Sequence, residues 1–166
     1  MTKIIVNTSP LIALDRIGCL LLLPALFHRI TSPQSVLDEV IAGRMQHGAS
    51  EDLLRGDWLE TLPDPPEAAY RPELGAGETA AIALAVQEKA DLILLDDLAA
   101  RNVARELGLK VSGTLGVLIT GFKKGHLADL DQPLNSLRAT GFHMSAELIR
   151  FVRNEVHLQQ DNSVQG

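Results

Sequence analysis

Two uninterrupted apolar runs, Ile4-Ile5-Val6 and Leu92-Ile93-Leu94-Leu95, each stop at polar residues, the first at Asn7 and the second at Asp96-Asp97. Runs without polar alternation predict strands covered on both faces, as in a parallel sheet. Thr8-Ser9-Pro10 reads as a helix start, with Ser9 capping free N–H groups and Pro10 in the first turn, where its missing donor costs nothing. Leu11, Ile12, Leu14 and Ile17 supply the apolar face of that helix and Gly18 ends it. Phe27 to Ile30 predicts a short second strand. Thr31-Ser32-Pro33 then repeats the helix-start chemistry ahead of a helix carrying Val36, Leu37, Val40 and Ile41 on one face.

Gly43 to Ser50 reads as a polar break, followed by a short helix and a strand at Trp58-Leu59-Glu60. The proline-rich stretch Pro63 to Pro72 is the best loop or hinge candidate. Leu74-Gly75-Ala76-Gly77-Glu78 opens a helix of small apolar residues, Ala80 to Val86, which should be buried because it is apolar all round. Beyond the Leu92 to Leu95 strand come a helix through Arg105 to Gly108, a short strand at Lys110-Val111-Ser112 and a helix from Gly113 to Phe122. Two more helices follow, to about Val156. Residues 1–158 are expected to form one domain and 159–166 a mobile polar tail. Strands alternating with helices predict a three-layer α/β/α fold with a central parallel sheet and right-handed crossovers. Sites in such sheets form beyond the carboxyl ends of the strands.

Composition narrows the classes. A chain of 166 residues, 46% hydrophobic and 22% charged, suits one compact domain rather than a disordered one. The net charge of -6 repels phosphate backbones, so a phosphate substrate would need a local basic patch or a bridging metal ion. With 4% aromatics a base-stacking platform is not expected. The lone Cys19 can form no internal disulfide, fits no zinc spacing and reads as a small buried apolar residue. The apolar stretch Cys19 to Phe27 is too short to span a bilayer and is interrupted by Pro24. Asp15 and Arg16 fall where a signal peptide would be apolar, so a cytoplasmic protein without a membrane partner is expected.

The candidate chemistry lies where the apolar strands stop. Asn7, Asp96 and Asp97 follow strands, and Glu78 sits at the head of a helix, where the dipole favours its charge. If those strands are neighbours, the side chains converge, and converging carboxylates need a cation; oxygen ligands suit Mg²⁺ or Mn²⁺. Plainer roles compete. Asn7 also suits fixing a turn, Glu78 a helix start, and one of Asp96 and Asp97 an N-cap, with the spacing silent on which. Asp38 and Glu39 flank the buried face of their helix equally, so periodicity does not choose between them. Arg101, Arg105, Lys123 and Lys124 are candidates for phosphate contacts, with plain surface solvation as the alternative.

Taken together, these residues resemble a known family. Lys3 to Val6 running into Asn7-Thr8-Ser9-Pro10-Leu11-Ile12 is similar to the opening of PIN domains, as is the Pro33 to Val40 helix with Glu39. Gly77-Glu78-Thr79-Ala80-Ala81-Ile82, Leu94-Leu95-Asp96-Asp97 and Gly113-Thr114-Leu115-Gly116-Val117-Leu118 resemble a branch of predicted nucleic-acid-binding PIN-like proteins. The likeness spans roughly residues 3 to 125. It implies a PIN-like fold and a metal-dependent ribonuclease, often the toxin of a toxin–antitoxin pair of the VapC type. RNA, a cognate antitoxin and a second copy of the chain would be its partners. The family's acidic site would fall on Asn7, Glu39, Glu78 and Asp96 or Asp97, with Thr8 and Ser9 beside it. Thr114 would lie where many members place a further polar or acidic residue. Asn7 stands where an aspartate is usual, so the cluster carries fewer negative charges than an intact PIN site. The alternative function is a non-catalytic relative that binds nucleic acid or protein. A Rossmann-type nucleotide module is the weak third reading, since Leu74-Gly75-Ala76-Gly77 lacks the third glycine of that fingerprint.

Overall fold

The computed structural model describes residues 2–47, 52–53, 56–66 and 71–164. Its strands are β1 (Ile4–Val6), β2 (Ile30–Pro33), β3 (Leu59–Leu62), β4 (Leu92–Leu94) and β5 (Val111–Ser112). The helices are α1 (Thr8–Arg16), α2 (Leu22–Phe27), α3 (Gln34–His47), α4 (Ala76–Gln87), α5 (Leu98–Glu106), α6 (Thr114–Lys123), α7 (Asp131–Ala139) and α8 (Ala146–Val164). The strands form one sheet in the order β3-β2-β1-β4-β5, and every pairing is parallel. This is the three-layer α/β/α arrangement that the alternation of strands and helices predicts.

The central strands are the ones that the apolar runs predict. All three residues of β1 are buried, and Val6 pairs with Leu94 of β4. Val6, Ile93, Leu94 and Leu95 have no exposure, nor do Leu14, Leu23, Ile30, Leu84 and Leu118 of the surrounding elements. Helix α4 packs on β1, β2 and β4, and its run of alanines lets it approach closely. Val86 escapes the expected burial and is 49% exposed. Cys19 is half-buried against the core, and burial raises its thiol pKa.

Several boundaries differ from the expectations above. The second strand is Ile30–Pro33, not Phe27 to Ile30, and Phe27 ends α2. Thr31-Ser32-Pro33 is therefore strand rather than helix start. Proline is tolerated there because it occupies the strand's last position, just before α3. Ser9 does not cap α1: Asn7 holds the N-cap position and makes no side-chain cap bond. The helix predicted to break at Gly43 continues to His47; positions 48 to 50 of that expected break lie outside the described residues. Asp52 and Leu53, where a short helix was expected, are helical. In the proline-rich stretch, residues 63 to 66 form loop and turn, and 67 to 70 lie outside the described residues. Helix α8 runs through to Val164, so residues 159 to 164 of the expected tail are helical.

Strand numbering runs outward from β1 to β2 and β3 on one side, and to β4 and β5 on the other. The order thus reverses between β1 and β4. A crevice opens beyond the carboxyl ends of a parallel sheet at such a switch point. Asn7 follows β1 and Asp96 follows β4 by two residues, so the sequence delivers both to that crevice.

Candidate active site at the switch point

Among the described residues the buried polar or charged side chains are Asn7, Thr8, Ser32 and Thr114. Each lies at or just past the carboxyl end of a strand: β1 for the first two, β2 for Ser32 and β5 for Thr114. Burying a polar group without a partner costs on the order of 1–3 kcal/mol in a protein. Two of these sites bear that cost openly. The Asn7 Oδ1 and Ser32 Oγ atoms are buried and accept or donate no hydrogen bond.

Around them the carboxylates are set in place by hydrogen bonds, long-range for Glu39 and local for Glu78 and Asp97. Glu39, in the second turn of α3, accepts from Thr8 Oγ1 at 2.7 Å and from the Gly77 N–H at 3.0 Å. Asp38, its rival in the sequence, instead accepts from Gln34 Nε2 at 2.9 Å on the exposed side of α3. Glu78 Oε2 accepts from the Gly75 N–H at 3.0 Å, so it fulfils the helix-start role. Burial raises the Glu78 pKa, the Gly75 bond opposes that rise, and the charges of Asp97 and Glu39 push it further up. Glu78 of α4 thus feels the charges of one carboxylate on α3 and of another at the β4–α5 corner.

The adjacent aspartates divide the remaining work. Asp97 is the N-cap of α5 and accepts from the Ala100 N–H at 3.0 Å. Asp96 gives both oxygens to Thr114, taking the N–H at 2.8 Å and the hydroxyl at 2.6 Å. Burial raises the Asp96 pKa, held back in part by the Thr114 bonds and the nearby Arg101 charge. Arg101, half-buried in the first turn of α5, donates from Nη1 to the Leu95 carbonyl at 3.4 Å. Ser9 is not gathered with these groups. It is exposed and faces a shallow groove with Ile12, Ala13, Arg16 and Thr140.

Sequence reasoning missed Ser32, disguised as helix-start chemistry, and the two glycines that make room for the acids. A Cβ on Gly77 would stand 2.6 Å from Glu39 Oε1. One on Gly113 would stand 2.5 Å from Asp96 Oδ1 and 2.9 Å from the Leu95 carbonyl oxygen. Both glycines open motifs that the sequence singles out, but their need for close approach depends on partners far away in sequence.

Whether a divalent ion suits this crevice turns on its donors. All are hard oxygens, the kind that hold Mg²⁺ or Mn²⁺. No three His, Cys, Asp or Glu side chains among the described residues are grouped closely enough to hold an ion alone. A fitting set must therefore be mixed, and the buried, unpartnered Asn7 Oδ1 is the further oxygen available to it.

An all-parallel sheet between helix layers, with acidic residues at its switch point, defines a class, and comparison with known proteins agrees. The PIN-domain family model matches residues 3–157, and the chain belongs to that family. Its fold is similar to that of a PilT N-terminus domain protein from the hyperthermophilic archaeon Sulfolobus solfataricus P2, with a TM-score of 0.56 and 16% identity. That match covers 77% of this chain and 100% of the other. No curated protein matches the chain. Among the described residues no helix is long and apolar enough to cross a membrane.

Proposed function

We propose that this PIN domain is a metal-dependent endoribonuclease that uses Mg²⁺ or Mn²⁺ and hydrolyses a phosphodiester in RNA. One observation carries the reading: Glu39 bridges Thr8, next to Asn7 with its buried and unpartnered Oδ1, to the Gly77 N–H beside Glu78. PIN domains are in general divalent-metal-dependent nucleases. The likeness to VapC-type proteins extends the proposal to the toxin of a toxin–antitoxin pair. Its partners would be a cognate antitoxin and a second copy of the chain, and its place the cytoplasm.

Asn7, Glu39, Glu78 and Asp97 would hold the ion, Asp97 through Oδ1, the oxygen that its N-cap bond to Ala100 does not use. When bound it supplies Lewis-acid chemistry, activating water and neutralising charge on the phosphodiester. Glu78 is the group best placed to take the proton of the attacking water. Burial raises its pKa above the ordinary glutamate value, which makes it the stronger base, and its Oε1 takes no part in the Gly75 bond. As the water oxygen bonds to phosphorus, the P–O bond to the leaving nucleotide breaks. Asp96 does not reach for the ion in this scheme; through Thr114 it ties the start of α6 to the end of β4.

A second reading, a PIN domain that binds nucleic acid or protein without cleaving, draws on two observations. Asn7 is a neutral ligand, and among the described residues no three acids are grouped closely enough to hold an ion. One assay separates the two: labelled RNA incubated with and without Mn²⁺, beside a Glu78→Gln/Asp97→Asn double variant. The enzyme reading expects Mn²⁺-dependent cleavage, reduced at least about a hundredfold in the variant. Equal background in both would leave the binding reading. Asn7→Asp is expected to raise activity, since a charged ligand attracts the dication more strongly than an amide.

A further inference from the structure

The four basic residues singled out by the sequence part company in the structure. Lys123 is taken up by Glu155, with Nζ 2.9 Å from Oε2. Arg101 and Arg105 lie one turn apart on α5, and among the described residues neither forms an ion pair. The two guanidiniums repel each other: the Arg101 pKa is lowered chiefly by burial and further by the charge of Arg105.

The charge of Asp96 partly offsets this lowering, but Asp96 gives both oxygens to Thr114 and forms no ion pair with Arg101. The Leu95 carbonyl, at 3.4 Å, is a long acceptor and occupies one of the several N–H donors of the guanidinium. Two neighbouring like charges, neither of them in an ion pair among the described residues, form a local exception to the acidic surface of a chain of net charge -6. Helix α5 starts immediately after Asp97, so this exception adjoins the carboxylate crevice. An anion shared by both groups would relieve their repulsion. The planar fork of a guanidinium matches a phosphate, which takes two parallel N–H bonds.

We propose that Arg101 and Arg105 together bind a backbone phosphate of the nucleic-acid strand flanking the scissile bond, Arg101 through its fork and Arg105 through its charge. The inference rests on the nucleic-acid reading of the adjacent crevice and adds to it the place where the strand is gripped. It also accounts for how an acidic protein tolerates a polyanion: contact is confined to one turn of one helix.

The test measures affinity for a fluorescein-labelled single-stranded RNA by polarisation over a series of salt concentrations, in a Glu78→Gln background that blocks cleavage. Arg101→Ala and Arg105→Ala are each expected to weaken binding severalfold and the double variant at least about tenfold. The slope of log affinity against log salt should shrink by about 0.7 for the lost phosphate contact. Arg101→Lys should recover part of the affinity, which a fault in folding would not allow. Arg105 is exposed, so its truncation reports on binding without disturbing the core. Lys124→Ala should bind like the parent. If the parent binds RNA but the double variant binds within twofold with an unchanged slope, the arginine pair is overturned and the nuclease reading stands. If the parent binds no RNA at any salt concentration, both fall together.

Discussion

Glu78 is pulled in two directions. The Gly75 N–H favours its charged form, whereas burial and the charges of Asp97 and Glu39 oppose it, and the opposition wins. A raised carboxyl pKa means that the folded chain holds a proton that the unfolded chain has released. Stability is then fullest below the ordinary glutamate value of 4.5 and is lost as pH rises through the raised value. Glu78→Gln keeps an acceptor for Gly75 and removes the charge. In EDTA its melting temperature should exceed the parent's, by a margin that opens as pH rises above 4.5 and then levels off. A margin independent of pH would show that Glu78 is not under repulsion. The same cluster marks how far single residues were legible. Asp38 and Glu39 are equivalent by helical period, and what distinguishes them is Thr8 and Gly77, 31 and 38 residues away from Glu39. The Asp96-Asp97 pair was likewise undecided until the Ala100 and Thr114 N–H groups claimed one each.

At the scale of elements, the two glycines at helix starts make contrasting predictions. Gly77→Ala gains helix propensity worth up to about 1 kcal/mol, and its clash is with the mobile end of Glu39. The variant should fold with nearly unchanged stability while displacing the Glu39 carboxylate and losing RNA cleavage. Gly113→Ala meets the Leu95 backbone as well as Asp96 and cannot be relieved by swinging one side chain. It should lose about 1–3 kcal/mol in urea unfolding. If both variants proved equally stable, the close approach at Gly113 would be wrong. The elements were legible in proportion to how local their causes are. Strands β1 and β4 declare themselves by apolar runs that need no partner to interpret. Thr31-Ser32-Pro33 shares its chemistry with Thr8-Ser9-Pro10, yet one is strand and the other leads into a helix. Pairing of Ser32 with Thr61 and of Pro33 with Leu62 decided the first case, and local propensity did not. The expected break at Gly43 failed for a related reason: a single glycine costs a helix about 1 kcal/mol, too little to end it.

For the whole molecule, the reversal of strand order between β1 and β4 explains why residues far apart in the sequence meet, the Asn7 N–H bonding the Leu94 carbonyl. The apolar pattern predicted the layers and pointed to the carboxyl edge. It could not supply strand order, on which the meeting of Asn7 with the β4–α5 corner depends. The family model agrees with that architecture over residues 3–157. The central claim is that this edge assembles oxygens from Asn7, Glu39, Glu78 and Asp97 around one divalent ion. Calorimetric titration of the full chain with Mn²⁺ tests it without recourse to activity. One ion per chain is predicted, with affinity falling about tenfold or more in both Asn7→Ala and Glu78→Gln. Absence of Mn²⁺ binding, or binding that neither substitution alters, would contradict it.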